Sequence, residues 1–569
     1  MKKYLLSSIL LIAACFATQS VSAYDFSEEN EDGVTIYYKI VSPRDKTCEV
    51  TRKEDKPGYG KDYMYDDYEG DIKIPSTANG YQVISIGSNA MASCQKVTSV
   101  KIPNSVTKIS NFAFFWCQSL SSITIPNSVT SLESYVFCGC TSLSSLKLPN
   151  TITVLNASLL EYCTSLTSIT IPSTVTEILD NALASCTGLT SITIPESVTS
   201  IGYLAFQSCT GLKNLTIPKS VAKIHHRALE GCTALESIVV EDGNPFYNSI
   251  NNCNALIETS TSMLVKGCKN TVIPNTVKII EDGAFNGCKG LTEIKIPDSV
   301  ESTGLYSFGH CPNLTKVTLG NSFKTIGRHS FDQCFELTTL VMGNSVTTIE
   351  SAAFQSCRKL TSVTFPNTLT TIEDYAFSGC SSMTTLTIPS SVTSIADYAF
   401  SGCSGLTSIT SHIKDVFETG SKAFYLCSKA TLYVPHGFAE IYSKTADWSS
   451  LTKIEEFYER IPLAMACNDK GRVVINREIN FTNKMAEVSI FEGIENHFSF
   501  APYENCELGQ VLLDGLDITK SVKENHLIAN IRENSHMMVI FVPKGADVNG
   551  DGQVDISDVV ALVNIILGS

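Results

Sequence analysis

Apolar residues recur along most of this chain on a fixed beat. Cysteines stand at 94, 117, 140, 163, 186, 209 and 232, and again at 288, 311, 334, 357, 380 and 403, with every step inside each run equal to 23 residues. In the unit that begins at Cys163, apolar side chains follow at Leu166, Ile169 and Ile171, a proline stands at Pro172, and Val175 and Ile178 form a second apolar pair. Alternation of this kind predicts a short strand with Leu166, Ile169 and Ile171 facing inward and Ser168 and Thr170 facing solvent. Pro172 lacks a backbone N–H and ends that strand. Val175 to Ile178 predicts a second extended segment on the back of the unit. Many units close on Ala-Phe just before the cysteine, as at Phe206, Phe285, Phe354, Phe377 and Phe400, and these rings are expected to stack as a buried spine.

A constant period of about 20 to 29 residues with an L-x-x-L-x-L core marks a leucine-rich-repeat solenoid, in which each coil is covered by its neighbours. One buried aliphatic or aromatic side chain contributes about 1.5 to 3 kcal/mol. Five or more per coil offset the ordering entropy only when both flanks are covered, so an isolated coil is not expected to fold. With the degenerate units included, the strand periodicity predicts roughly 15 coils. The fold class expected is mainly β: a leucine-rich-repeat solenoid of 23-residue repeats, then a small β module and a calcium loop-helix.

The repeat text itself, as in LTSITIPESVTSIGYLAF from Leu189 to Phe206, resembles the BspA-like bacterial leucine-rich-repeat family of cell-surface and secreted proteins, over residues 72 to about 457. That resemblance implies a surface or extracellular scaffold, adhesion to host matrix proteins or other cells as in some members, and no enzyme activity.

The array needs ends. Residues 24–93 read as an N-terminal β cap with a first degenerate repeat, the strand pattern starting after Gly33; residues 94–427 hold the repeats; residues 428–457 break register as a C-terminal cap closed by Trp448, Leu451, Ile454 and Phe457. Between Cys232 and Cys288 the step is 56 residues, which predicts an enlarged coil at about 233–287. Ala255 to Glu258 and Met263 to Lys266 read there as a hairpin. If Glu258 opposes Met263, Cys253 faces Cys268, which makes that pair the disulfide candidate, the alternative being two small buried thiols. Ladder cysteines differ: stacked neighbours about 4.8 Å apart exceed the roughly 3.8 Å Cβ separation a disulfide prefers, so they are read as free and buried. Their spacing also lacks the close C-x-x-C pairs of zinc sites.

Charge narrows the function classes. Among 569 residues, 42 Lys and Arg against 57 Asp and Glu leave a net charge of −15, which repels nucleic acid and anionic membrane surfaces. At 43% hydrophobic and 17% charged residues, the chain is no disordered acidic polymer. Residues 1–23 join Lys2 and Lys3 to an apolar run and a small-residue pattern ending at Ala23, a secretory signal peptide cut after Ala23. Alternatively Cys15, after Ile12, Ala13 and Ala14, is lipidated and anchors the chain to the outer surface. No other apolar run is long enough to span a bilayer, so the mature chain is expected to be secreted or at the cell surface with no membrane-spanning segment.

The open face is legible five and seven residues after each cysteine, in pairs such as Ser122 and Thr124, Ser168 and Thr170, or Thr385 and Thr387. It is dominated by hydroxyls and carries no aromatic platform. Charge interrupts it at Glu293, Lys295 and Lys316, and apolar atoms at Val239 and Val341; a specific contact is expected there or at the inserted hairpin, a uniformly solvated face being the alternative. The nine histidines form no H-E-x-x-H, and no G-x-S-x-G occurs, so no catalytic residue is assigned.

Residues 458–545 alternate as a small β module, read as a spacer. At 546–569 comes the sharpest chemical motif: Asp547, Asn549, Asp551, Gln553, Asp555 and Asp558 place oxygen donors at alternating positions of a 12-residue loop, with Gly552 at the sharp turn and an apolar helix following. Hard oxygen donors select Ca2+. The loop resembles one half of a type I dockerin, and the single segment, where a dockerin has two, puts a cohesin partner in doubt. Two functions remain from the sequence: a non-catalytic adhesion protein binding a host or cell-surface protein or glycan, or a structural scaffold attached through its calcium tail.

Overall fold

In the computed structural model the described residues are 24–53, 67–451 and, between 453 and 543, a series of strands with short interruptions. The leader at 1–23 with Cys15, and the loop at 546–569 with Asp547, Asn549, Asp551, Gln553, Asp555 and Asp558, lie outside them. The chain is mainly β, with very little helix, and winds into a β-solenoid of about 17 turns. It divides into two compact units, one of residues up to 407 with 419–429, the other of 408–418 with 430 onward.

In the first unit each regular coil has three sides. The front is, in most coils, a short strand such as Ser168–Thr170, alternately exposed, buried and exposed, paired in parallel with Ser145–Lys147 one repeat earlier; at 361–366 the front segment forms no strand. The back is a two-residue strand such as Glu177–Ile178, paired in parallel with Val154–Leu155 before it and Ser200–Ile201 after it. The third side is a tight turn in which alternate N–H groups serve two purposes. Asn181, Leu183 and Ser185 donate to Tyr203, Ala205 and Gln207 of the following coil, while Ala182, Ala184 and Cys186 donate within their own coil to Leu179, Asn181 and Leu183. Every side therefore ties one coil to the next through backbone hydrogen bonds, as buried backbone requires. Leu166, Ile169, Ile171, Val175 and Ile178 fill the interior as the alternation predicts.

The aromatic spine exists and is longer than the sequence suggested. Rings of Phe285, Phe308, Phe331, Phe354, Phe377, Phe400 and Phe424 stack in succession, with centroid separations of 4.7, 5.1, 5.2, 5.2, 5.4 and 5.6 Å. Phe206 is buried at the same repeat position, but Leu183 and Leu229 occupy that position in the adjacent coils, so it has no ring partner on the spine.

Ladder cysteines are free and buried, from Cys94 through Cys232 and from Cys288 through Cys403. Their chemistry explains why cysteine rather than alanine holds the position. Cys140 Sγ donates to the carbonyl of Phe114 at 3.2 Å, Cys163 to Phe137 at 3.2 Å, and Cys357 to Phe331 at 3.3 Å, always the spine residue of the preceding coil. The Phe114 carbonyl already accepts the N–H of Cys117 in its own coil. A thiol thus fills the acceptor's remaining capacity with a group small and apolar enough for the core. Burial pushes the Cys186 thiol up to about 12 and the Cys232 thiol up to about 11, which keeps both protonated and unreactive.

At the N-terminal end, Phe26–Glu29, Thr35–Ser42 and Thr47–Thr51 form an antiparallel meander whose last strand pairs in parallel with Tyr81–Ile86, and that strand pairs with the first back strand, Lys108–Ile109. Tyr68 pins the meander from inside: its hydroxyl donates to Thr51 O at 2.5 Å and accepts the N–H of Tyr37 at 3.1 Å.

The enlarged coil inserts a hairpin into the back sheet. Glu258 does oppose Met263, and Ile257 opposes Leu264, but a bulge between Leu256 and Ile257 shifts the remaining pairs to Leu256 with Lys266 and Ala255 with Gly267. That one-residue slip removes the face-to-face placement expected of Cys253 and Cys268, and both are free thiols. Cys268 instead donates to Glu236 O at 3.1 Å. Tyr247 repairs the gap on the other flank, its hydroxyl accepting the N–H of Ile224 at 2.9 Å where the next back strand would have bonded.

In the second unit, Ser408–Ser411, Thr431–Pro435 and Lys453–Phe457 are parallel neighbours. Trp448 and Leu451 are fully buried, Trp448 Nε1 donating to Phe417 O at 3.0 Å, while Ile454 and Phe457 are half-buried. Beyond them lie a five-stranded and a four-stranded sheet. Val473, Phe498, Phe500 and Leu527 from one, with Val511, Met537 and Val539 from the other, are buried.

Candidate binding surface

Front strands stack in register, so residues one repeat apart become lateral neighbours on a rigid sheet. Glu293 lies beside Lys316 and Lys316 beside Thr339, while in the next outward column Lys295 lies beside Thr318 and Thr318 beside Val341. Four of the five positions singled out in the sequence, Glu293, Lys295, Lys316 and Val341, therefore form one patch on three consecutive strands. Val239 is 42% exposed but belongs to a separate three-stranded sheet, beside Thr216. The enlarged coil at about 233–287, read from the 56-residue step between Cys232 and Cys288, lies between the two sheets along the chain. Segment 269–270 of that coil reaches this edge, Lys269 pairing with the Glu236 carboxylate at 3.1 Å and Asn270 Nδ2 donating to Glu236 O at 3.0 Å.

Within the patch, Lys316 Nζ stands 3.7 Å from Glu293 Oε2, both well exposed. Such a pair contributes about 0 to 1 kcal/mol, so its role is not to hold the solenoid together. Lys295 adds a second ammonium, and Val341, 46% exposed, presents a branched apolar side chain two strands away. The combination can hydrogen-bond carbonyl or carboxylate oxygens and cover a small apolar group. It contains no nucleophile–base pair. Among the described residues no group of three or more His, Cys, Asp or Glu is placed to hold a metal ion, and no helix is long and apolar enough to cross a membrane.

A second group of rings lies away from the front strands and was not singled out in the sequence. Phe112, Trp116, Tyr135 and Tyr162 gather on the third side of the coils, above a buried cluster of Ala92, Phe115 and Cys138. The signal was present: Phe112 and Tyr135 each stand five residues before a ladder cysteine, and Trp116 and Tyr162 immediately before one.

Comparison with known proteins places this geometry. The model of the BspA type leucine rich repeat region matches residues 68–190, 176–266, 264–384 and 324–455, together more than half of the chain. A leucine-rich repeat protein from Bacteroides ovatus is similar over 76% of this chain and 100% of its own, at 26% identity and a TM-score of 0.54. A leucine rich cell surface protein from Faecalibacterium prausnitzii is similar over 69% of this chain and 96% of its own, at 28% identity and a TM-score of 0.50. No protein of curated function matches. With its 23-residue coils, its front ladder and this match, the chain belongs to the BspA-type leucine-rich-repeat family.

Proposed function

We propose that this chain is a secreted or surface-displayed binding protein that adheres to a host or cell-surface protein or glycan and carries out no chemistry. Export rests on the leader at 1–23, and surface display is consistent with the relative described as a cell surface protein. The observation that carries the reading is the patch of Glu293, Lys295, Lys316 and Val341, where a face otherwise rich in hydroxyls offers two ammonium groups and an apolar side chain on a rigid ladder. Rigidity matters because a preformed surface loses little entropy on binding.

The test is a binding screen of the mature chain, and of the chain lacking residues 546–569, against extracellular-matrix proteins and glycans. Saturable binding by both forms, weakened roughly ten-fold or more by the combined Lys295→Ser, Lys316→Ser and Val341→Ser changes, supports the reading. Binding unaffected by those changes sinks the patch.

One observation favours a second reading, a structural scaffold attached through its tail: the oxygen-donor spacing of Asp547, Asn549, Asp551, Gln553, Asp555 and Asp558. In that reading Ca2+ orders the loop and the helix after it. Binding seen only with residues 546–569 present, and lost on chelation, favours the scaffold.

A further inference from the structure

Charge is spread unevenly over the solenoid, and the fold accounts for only one sign of it. Carboxylates on the corner after the back strands tie coil to coil: Asp180 accepts the N–H of Tyr203 at 2.8 Å, Asp282 that of Leu305 at 2.7 Å and Glu373 that of Ser351 at 3.0 Å. The front carries the opposite sign. In the seven residues that follow each cysteine from Cys209 to Cys357, Cys253 apart, stand seven Lys or Arg and three Glu, 7 − 3 = +4 within a chain of net charge −15. The three, Glu236, Glu293 and Glu336, each pair with a lysine of the next front segment, Lys269, Lys316 and Lys359, at 3.1, 3.7 and 2.6 Å. Lys213, Lys289 and Lys295 are exposed and, among the described residues, enter no ion pair. Nothing in the stacking of the coils calls for them.

The same stretch exposes apolar surface. Residues 268–273 of the enlarged coil run as an irregular front segment between the two ladders. Lys269 donates its N–H to Leu235 O at 3.2 Å on one side, and its stem packs against Gly290 on the other, where a Cβ would stand 2.5 Å from Lys269 Cδ. Thr271, Val272 and Ile273 are buried, exposed and buried ahead of Pro274, the pattern of Ile169, Thr170 and Ile171 ahead of Pro172, so Val272 faces outward like a front residue and is 73% exposed. Segment 249–253 lies beside it: Ser249 Oγ accepts the N–H of Val240 at 2.9 Å, and Val272 donates to Cys253 O at 3.0 Å. Val239, Ile250 and Val272 are therefore exposed aliphatic residues on neighbouring backbone, where the regular coils present hydroxyls.

We propose that this face, from Lys213 across the enlarged coil to Lys295, receives an acidic peptide segment of a partner protein, its carboxylates meeting Lys213, Lys289 and Lys295 and its aliphatic side chains covering Ile250 and Val272; the inference rests on the adhesion reading and names the partner's chemistry. At physiological ionic strength charges act over about 8 Å, so these lysines, rather than the net charge of the chain, set the potential a ligand meets here. A sulfated glycan or a nucleic acid would satisfy the lysines but leave the aliphatic groups in water, and the front strands of these coils carry no ring on which a sugar or base could stack. An acidic peptide with aliphatic residues matches both the charge and the apolar surface.

The mature full-length protein is titrated, by fluorescence anisotropy, with a labelled peptide alternating Glu and Leu, with poly-Glu and Gln-Leu peptides of the same length, and with heparin. Saturable binding of the Glu-Leu peptide is expected, roughly ten-fold or more tighter than that of either comparison peptide, and weakening as salt is raised. Lys213→Glu with Lys289→Glu should weaken it roughly ten-fold or more, as should Ile250→Ser with Val272→Ser, whereas Lys101→Glu with Lys147→Glu, on the same face of other coils, should leave it within about two-fold. All the altered residues are exposed, and circular dichroism of the variants should match the parent. No binding of the Glu-Leu peptide, equal binding of either comparison peptide, tighter binding of heparin, or affinity unchanged in either site variant would overturn the proposal. Matrix binding that still falls with Lys295→Ser, Lys316→Ser and Val341→Ser would then leave the adhesion reading standing, so the two fail separately.

Discussion

Replacing Phe354 with alanine removes one rung of the aromatic spine at a point where its neighbours cannot compensate. Phe354 is fully buried, with the Phe331 and Phe377 rings each 5.2 Å away and inclined by only 3° and 11°. Truncating a buried phenylalanine costs about 3 to 5 kcal/mol, and an aromatic pair contributes about 0.5 to 1.5 kcal/mol beyond its buried area. With two such pairs lost and some overlap between the terms, the expected cost is about 4 to 6 kcal/mol. In a one-dimensional array that cost falls on a single interface, so the coils on either side lose their coupling. Phe206→Ala is the matched control: the side chain is equally buried at the same repeat position, but leucines flank it along the spine and no spine stacking is lost. Equilibrium denaturation followed by circular dichroism should show Phe354→Ala destabilised by about 1 to 3 kcal/mol more than Phe206→Ala. Hydrogen exchange should lose protection first at Phe331 and Phe354, whose N–H groups bond to Ala353 and Ala376. Equal losses in the two variants would refute the claim that ring stacking couples the coils.

Three further outcomes follow from the same coordinates. Cys186, Cys232 and Cys357, held protonated by burial, should resist a charged thiol reagent in the native protein and react once it is denatured, and Cys357→Ala should cost about 1 kcal/mol or more by leaving the Phe331 carbonyl without its second donor, measured by chemical denaturation. Lys266 is buried with its Nζ donating to Gly283 O at 3.3 Å, and desolvation lowers its affinity for a proton below the ordinary 10.5. The unfolded chain then binds that proton more tightly, so Lys266 costs stability at neutral pH and the cost fades as pH rises toward 10.5. Lys266→Met should therefore raise the melting temperature at pH 7 by more than at pH 10. Chelation should leave the melting of residues 24–451 unchanged while altering a probe attached near Asp551, if the Asp547 to Asp558 loop holds Ca2+ as its spacing predicts.

Much of the solenoid was legible because its physics is periodic. Inward residues such as Ile169 and Ile178 are marked by alternation, and Pro172 and its equivalents Pro126, Pro195 and Pro297 mark where their front strands end. What stayed hidden depends on backbone details that leave no clear trace in residue type. Cysteine reads as a small apolar residue; that its thiol donates to a carbonyl 26 residues earlier emerges only when the coils are stacked. The bulge between Leu256 and Ile257 carries no glycine, so the hairpin register was correct at Glu258 and lost by Cys253. Val239 stood in the sequence as one apolar interruption of the open face, and the pairing of its strand with Asn214–Ile217 sets it in a sheet apart from Glu293, Lys295, Lys316 and Val341.

Adhesion through the front ladder is the central claim, and side-chain footprinting of the mature chain bound to its best matrix partner tests it most directly. Lys295, Lys316 and Val341 should become protected together, while Ser145, Lys147, Ser168 and Thr170 on the same open face stay reactive. Protection spread evenly along the hydroxyl columns, or confined to residues 546–569, would contradict the account.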